Sequence, residues 1–347
     1  ELSTIVCCDS YNIGYTLYVS TLGDVYSLGN HDEGGHGHED ELIVPTRLTS
    51  LKNIETIDCG YGHTICLDNE GRVFSFGSNF YGQLGIGKNY TSVPYTHLPQ
   101  LIDISPVKQI SCGGKFNICL SLKNELYSFG DNRYGQLGIG NTDNCDTPHK
   151  IELEDIQFAQ CGGFHAHCKS INNVIYSWGR NNHGQLGIGN SDNQNKPILC
   201  DVGDVVDIKC GTFHSIILNS SCEILSCGRN DNGQLGREGD GCSVFNKIEN
   251  IPEILAIGCG DASSMCLDSN HNFYFFNHNF FIFGHLLGIL SLPTNNPSLE
   301  PFLCNIVNIS SKGEHFFVKK NGNEIFAFGS NYSTQLGIKT DDENQFS

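Results

Sequence analysis

The residues in this chain equipped for chemistry are imidazoles, thiols and carboxylates, and most of them sit in one recurring phrase. It reads IDCGYGHTICL from Ile57, ISCGGKFNICL from Ile110, AQCGGFHAHCK from Ala159, IKCGTFHSIIL from Ile208, IGCGDASSMCL from Ile257 and ISSKGEHFFVK from Ile309; a degraded first copy, IVCCDSYNIGY, starts at Ile5. His63, His165 and His214 each follow a cysteine by four residues, a pattern that suits metal binding or a thiol and base pair. Yet they occupy one position in different copies, so a ring of copies would hold them apart instead of aiming them at one ion. A structural hydrogen-bonding role is expected for them, because buried polar groups need partners.

The 17 cysteines follow the same logic. Cys8, Cys59, Cys112, Cys161, Cys210 and Cys259 read as one position, and Cys66, Cys119, Cys168 and Cys266 as another seven residues on. Thiols locked to a repeat are most simply small apolar core residues. With no C-x-x-C pair or Cys/His ligand cluster, and an odd total, a disulfide or zinc framework is not expected, and a reducing compartment, cytoplasmic or nuclear, is. No G-x-S-x-G, H-E-x-x-H or P-loop appears either. No catalytic residue, metal or cofactor is therefore expected.

The elements that would position these groups come from a second phrase, VFSFGSNFYGQLGIG from Val73, repeated at Leu126, Ile175 and Ile224 and weakened at Val25, Phe273 and Ile325. Its aromatic position, or the replacement there, falls at Tyr26, Phe74, Tyr127, Tyr176, Leu225, Tyr274 and Phe326, in steps of 48, 53, 49, 49, 49 and 52. Such a period, carrying several short strands, signals propeller blades. Each unit reads as four strands: one ending at the Cys-Gly corner, one after it, the V-Y-S-F-G segment, and a fourth near Pro94, Pro148 or Pro197. Leu84, Leu137, Leu186, Leu235 and Leu336 of GQLG are read as plugs between blades. The preceding Gln83, Gln136, Gln185, Gln234 and Gln335 are read as partners for backbone groups at the same turn.

Composition narrows the function. Only 17% of residues are charged, and 38 acidic against 20 basic side chains give a net charge of −18. Direct nucleic-acid binding, which needs clustered cations, is not expected. The one apolar stretch, from Asn272 to Pro293, is interrupted by Asn277, His278, Asn279 and His285 and reads as a divergent repeat, not a membrane span. The opening ELSTIVCCDS, without methionine, suggests a trimmed chain with flanking domains missing.

The paired phrases resemble the regulator of chromosome condensation repeat family across all seven units. That resemblance implies an all-β fold, a seven-bladed β-propeller of four-stranded antiparallel blades closed by pairing of the N- and C-terminal segments. Residues 1–347 would form this single domain, expected to be monomeric. It also implies a partner, a small GTPase (Ran-like or other) acted on as a guanine-nucleotide exchange factor; the alternative is a non-catalytic scaffold or adapter module. By the same resemblance, Asp261 takes the position of the family's corner acid. The loop from His278 to Phe283, two residues longer than its counterpart Ser78–Tyr81, stands where the family carries a wedge, with Phe280, Phe281, Ile282 and Phe283 at its tip. Glu314 and His315 place an acid and an imidazole in the next corner, the histidine one residue out of the usual register. Ultraviolet sensing, known in a plant relative, relies on clustered tryptophans, and this chain has only Trp178.

Overall fold

Tight glycine turns and period-2 alternation produce short antiparallel strands, and in this chain they form consecutive sheets, each a simple meander. A computed structural model describes residues 2–10, 13–29, 34–87, 92–277, 298–299, 306–313, 315–320 and 325–329. Among these residues there are six four-stranded sheets and a seventh of three strands, and no helix. The chain is thus an all-β propeller with six complete blades. The fourth strand expected of the seventh would follow Gly329, outside the described residues.

Blade 2 shows the pattern: Ile54–Cys59, His63–Asp68, Val73–Ser78 and Tyr95–Leu101. The second strand is buried throughout. The fourth lies on the rim, half-buried or exposed along its length. Prolines expected near the fourth strand fall in it or just before it: Pro45, Pro99, Pro148 and Pro197 lie within rim strands, where a missing N–H costs no ladder bond. The first glycine of the V-Y-S-F-G segment sits at a register shift between third and fourth strands. Gly77 has φ +102°, and a Cβ there would lie 2.3 Å from the Gly62 carbonyl, so no other residue fits the bend.

The apolar core lies between blades. Phe116, Ile118, Leu126 and Leu137 of blade 3 pack with Ile156, Ala159, Ala166 and Trp178 of blade 4, and equivalent clusters join every other consecutive pair. Leu336 and Gln335 lie outside the described residues; Leu84, Leu137, Leu186 and Leu235 behave as expected, each fully buried. Their N–H groups donate to Asn79, Asn132, Asn181 and Asn230 Oδ1. The glutamines also meet expectation, since Gln83, Gln136, Gln185 and Gln234 accept from the N–H two residues earlier.

Three sequence readings need adjustment. Thr16 of blade 1 pairs with Cys7, as Thr64 of blade 2 pairs with Cys59, so Cys7 holds the repeat position assigned to Cys8; a longer hairpin displaces the register by one. The first strand, Leu2–Ser10, is the inner strand of its own sheet, hydrogen-bonded to Ile13–Ser20. Leu2–Ser10 lies against Ile306–Lys312 and His315–Lys320 of blade 7, and the C-terminal segment expected to pair with it lies outside the described residues. Finally, His315 pairs with Gly329 as His63 pairs with Gly77 and His214 with Gly228, so it is in the family register, not one residue out of it.

Every cysteine whose side chain is described is free, and burial pushes the Cys66, Cys119, Cys168 and Cys266 thiols up, as expected of core residues. Because each core cluster belongs to two blades, Leu137→Ala removes packing from a shared interface and is expected to lower the unfolding free energy by about 2–5 kcal/mol. Denaturant titration followed by Trp178 fluorescence measures it, Trp178 lying in the same cluster; a loss under about 1 kcal/mol would show that the leucine is not a plug.

Candidate functional site

At one end of the ring axis the Cys-Gly corners of consecutive blades meet. Gly60, Gly113, Gly162, Gly211, Gly260 and Gly313 line a single small opening together with Tyr61 and Asp261, which six different blades can do only on the axis. Backbone hydrogen bonds run from corner to corner: Tyr61 N–H to Gly114 C=O (2.6 Å), Gly114 to Gly163 (2.9 Å), Gly163 to Gly211 (3.1 Å), Thr212 to Asp261 (2.9 Å) and Asp261 to Gly313 (3.0 Å). Glycine is required at these corners by close approach. A Cβ on Gly60 would lie 2.4 Å from the Gly113 carbonyl, and one on Gly162 2.6 Å from that of Gly211. Tyr61 reaches over the opening, and its hydroxyl shares a 2.7 Å hydrogen bond with Thr212 Oγ1 in blade 5.

The site residues expected from sequence fall on this face where they are described. Asp261, half-buried, is a member of the corner chain. The blade 6 loop leaves the third strand, Phe273–Phe276, beside that corner: Phe276 pairs with Ser264, and Asn277 Nδ2 donates to Ala262 C=O at 3.3 Å. Phe280, Phe281, Ile282 and Phe283 themselves lie outside the described residues, as does Glu314. His315 opens the strand after the Gly313 corner, so the Asp261 and His315 corners are neighbours on one face.

Sequence reading missed a belt of aromatic rings and cations around the same opening on blades 2 to 5. Lys115 and Arg133 lie over the Tyr81 ring at 4.6 and 4.7 Å. Arg180 contacts Tyr134, Phe213 and Phe164 at 4.6, 4.9 and 5.6 Å, and Phe164 and Phe213 stack at 5.9 Å. Burial, then the Arg229 and Arg180 charges, push His183 down, so the ring packed on Phe213 at 5.2 Å is neutral. Each cation and ring pair is worth about 0.5–1 kcal/mol when partly exposed. The signal was present as the residue before two of the corner histidines (Phe164, Phe213) and the Arg after two of the third-strand glycines (Arg180, Arg229), positions that only the ring brings together.

Two of the recurring histidines, His63 and His214, are structural, as expected. His63 Nε2 donates to Asn117 Oδ1 of the next blade at 2.8 Å, and Asn117 Nδ2 donates back to Gln83 C=O at 2.8 Å. His214, Ser264 and Gln234 C=O repeat the relay at 2.9 and 2.8 Å. Between blades 3 and 4 both partners are replaced together, by Phe116 and Ala166, in an apolar cluster. That is the cheap exchange, since neither side leaves an unpaired polar group. Burial pushes His214 down to about 4, so it stays neutral in the fold.

The chain belongs to the regulator of chromosome condensation (RCC1) repeat family, whose profile matches residues 23–67, 70–120, 123–168, 172–218 and 223–267. It is 37% identical over 128 residues to the RCC2 homolog of Xenopus laevis, a match covering 36% of this chain and 25% of that protein. The chain thus spans about a quarter of the length of the RCC2 relatives it matches. Human WBSCR16 shares the fold with a TM-score of 0.79 at 21% identity, over 92% of this chain and 86% of that one. Prp20p of Saccharomyces cerevisiae does so with 0.75 at 18%, over 90% and 80%; its structure was described with its binding to Gsp1p and histones. Among the described residues, no helix is long and apolar enough to cross a membrane.

The histidine relay gives a test by pH and by paired substitution. His214 is held below its ordinary value of about 6.5, so the unfolded chain takes up a proton that the fold refuses. Its contribution is complete above pH 6.5 and is lost as pH falls toward 4, by roughly 3 kcal/mol. Ser264→Ala is expected to cost about 1–3 kcal/mol, and His214→Phe with Ser264→Ala less than the single change. The double variant should also show a flatter loss of stability between pH 6.5 and 5; an unchanged slope in denaturant titrations would contradict the relay.

Proposed function

We propose that the axial face is a protein-docking surface that receives a small GTPase and speeds release of its guanine nucleotide. The observation that carries this reading is the continuity of the face: the Asp261 corner, the root of the blade 6 loop at Asn277 and the aromatic–cation belt surround one opening. Half-exposed Tyr, Phe and Arg side chains around a chain of backbone-bonded corners have the composition of interface anchors. Kinship with a family whose yeast fold relative was described with Gsp1p binding supports the GTPase as partner. Exchange needs no covalent chemistry from the propeller. It needs tighter binding to the nucleotide-free GTPase than to the loaded form, and nucleotide affinity then falls by the same factor. Asp261 and His315, with Glu314 and Phe280–Phe283 as the family resemblance assigns them, would carry the exchange, and the belt on blades 2 to 5 the anchoring.

A scaffold role without exchange is the second reading, favoured by the belt lying mostly on blades away from Asp261. Fluorescent-nucleotide release from Ran-like, Rho-like and Rab-like GTPases separates the two. Acceleration by the wild type that falls at least tenfold in Asp261→Ala is the expected result. Binding of a stripped GTPase without acceleration leaves the scaffold, and an absence of both removes the GTPase from either reading. Arg180→Ala is expected to weaken docking whichever holds, read by titration calorimetry or surface-bound capture.

A further inference from the structure

The second strand of every complete blade carries an apolar side chain two residues beyond the relay position, and blade 4 breaks the rule. Leu17, Ile65, Ile118, Ile216 and Met265 hold it elsewhere, each buried; in blade 4 it is His167, also fully buried. An imidazole in an aliphatic slot is costly unless its nitrogens are engaged. Here it enters a cluster absent from the other blades. His165 Nε2 and His167 Nε2 both reach Ser215 Oγ of blade 5, at 2.8 and 2.9 Å. Cys210, paired with Ser215 across two strands of that blade, completes the group: ligand atoms of His165, His167 and Cys210 lie within 4.8 Å of one another.

We propose that His165, His167 and Cys210 form a zinc site bolting blade 4 to blade 5, with the Ser215 hydroxyl in the fourth position. Two imidazoles and a thiolate suit Zn²⁺, at bonds of about 2.0 Å to nitrogen and 2.3 Å to sulfur, so the three atoms draw somewhat closer than they now stand. The outer partner that orients a ligating imidazole is already present: His167 Nδ1 shares a 2.9 Å hydrogen bond with Ser177 Oγ. In blades 2, 3 and 5 the matching serine hydroxyl is given instead to the plug leucine's carbonyl. Cys210 also lines the axial opening, which supplies the route in. Binding replaces the thiol proton with the metal and releases it to solvent.

The sequence offered the His-x-His pair in FHAHC but not the cysteine, which comes from the next repeat. No Cys/His cluster is legible along the chain, although one exists across the blade interface. The expected absence of a metal site is the reading this proposal revises.

The test uses the full chain, kept reduced, with Zn²⁺ and Co²⁺ as probes. The wild type should retain one Zn²⁺ per chain after gel filtration and show a thiolate-to-Co²⁺ absorption band. His167→Ile restores the residue type of the other blades and should fold normally while losing at least tenfold in Zn²⁺ affinity against a chromophoric chelator. Cys210→Ser should abolish the absorption band, and Cys259→Ser, the same corner in a blade without the paired histidines, should keep it. Zn²⁺ should raise the melting temperature of the wild type but not of His167→Ile. Equal retention by wild type and His167→Ile, or a band that survives Cys210→Ser, would overturn the site.

Discussion

The structure depends on how closely the blades approach at the axis, and that distance is set by glycine. With a hydrogen atom where a Cβ would stand, each corner lies close to the carbonyl of the next, and the Tyr61, Gly114, Gly163, Thr212 and Asp261 amides pass hydrogen bonds around the opening. Backbone groups buried in this way must be paired, and here the pairing is between blades, not within them. The rest follows outward: with the inner edges fixed, the relay histidines meet the next blade's hydroxyl or amide, and the GQLG leucines fall into the remaining gap.

Each blade is therefore incomplete alone, its cohesion coming from its two neighbours, as in stacked repeats. Polar and apolar solutions to the same interface coexist because they change as pairs: His214 with Ser264 in one place, Phe116 with Ala166 in another. At the seam, the first strand lies against the first two strands of blade 7. Among the described residues, every strand pairs within a sheet built from one continuous stretch of chain.

Much of this was legible in the sequence. The spacing of the aromatic position gave the blades, the GQLG phrase gave plugs and turns, and His63 and His214 were rightly read as hydrogen-bonding partners across blades. What failed to show shares a physical cause: it depends on residues adjacent in space but about fifty positions apart in the chain. Arg180 touches Phe213, and Tyr61 reaches Thr212, only because the ring curves. Register errors had a more local source. Cys7 rather than Cys8 holds its position in a hairpin longer than that of blade 2, while the blade 7 hairpin keeps blade 2's length and so holds His315 in register.

The proline-bearing rim strands have a further meaning for how such discs behave at high concentration. Among the described residues six blades display an outermost strand, and each is an invitation for another molecule to add a strand and begin a fibre. Pro45, Pro99, Pro148 and Pro197 interrupt that ladder of free amides at four of these sites. Side-by-side growth is discouraged there, and association is steered to the flat surfaces of the disc.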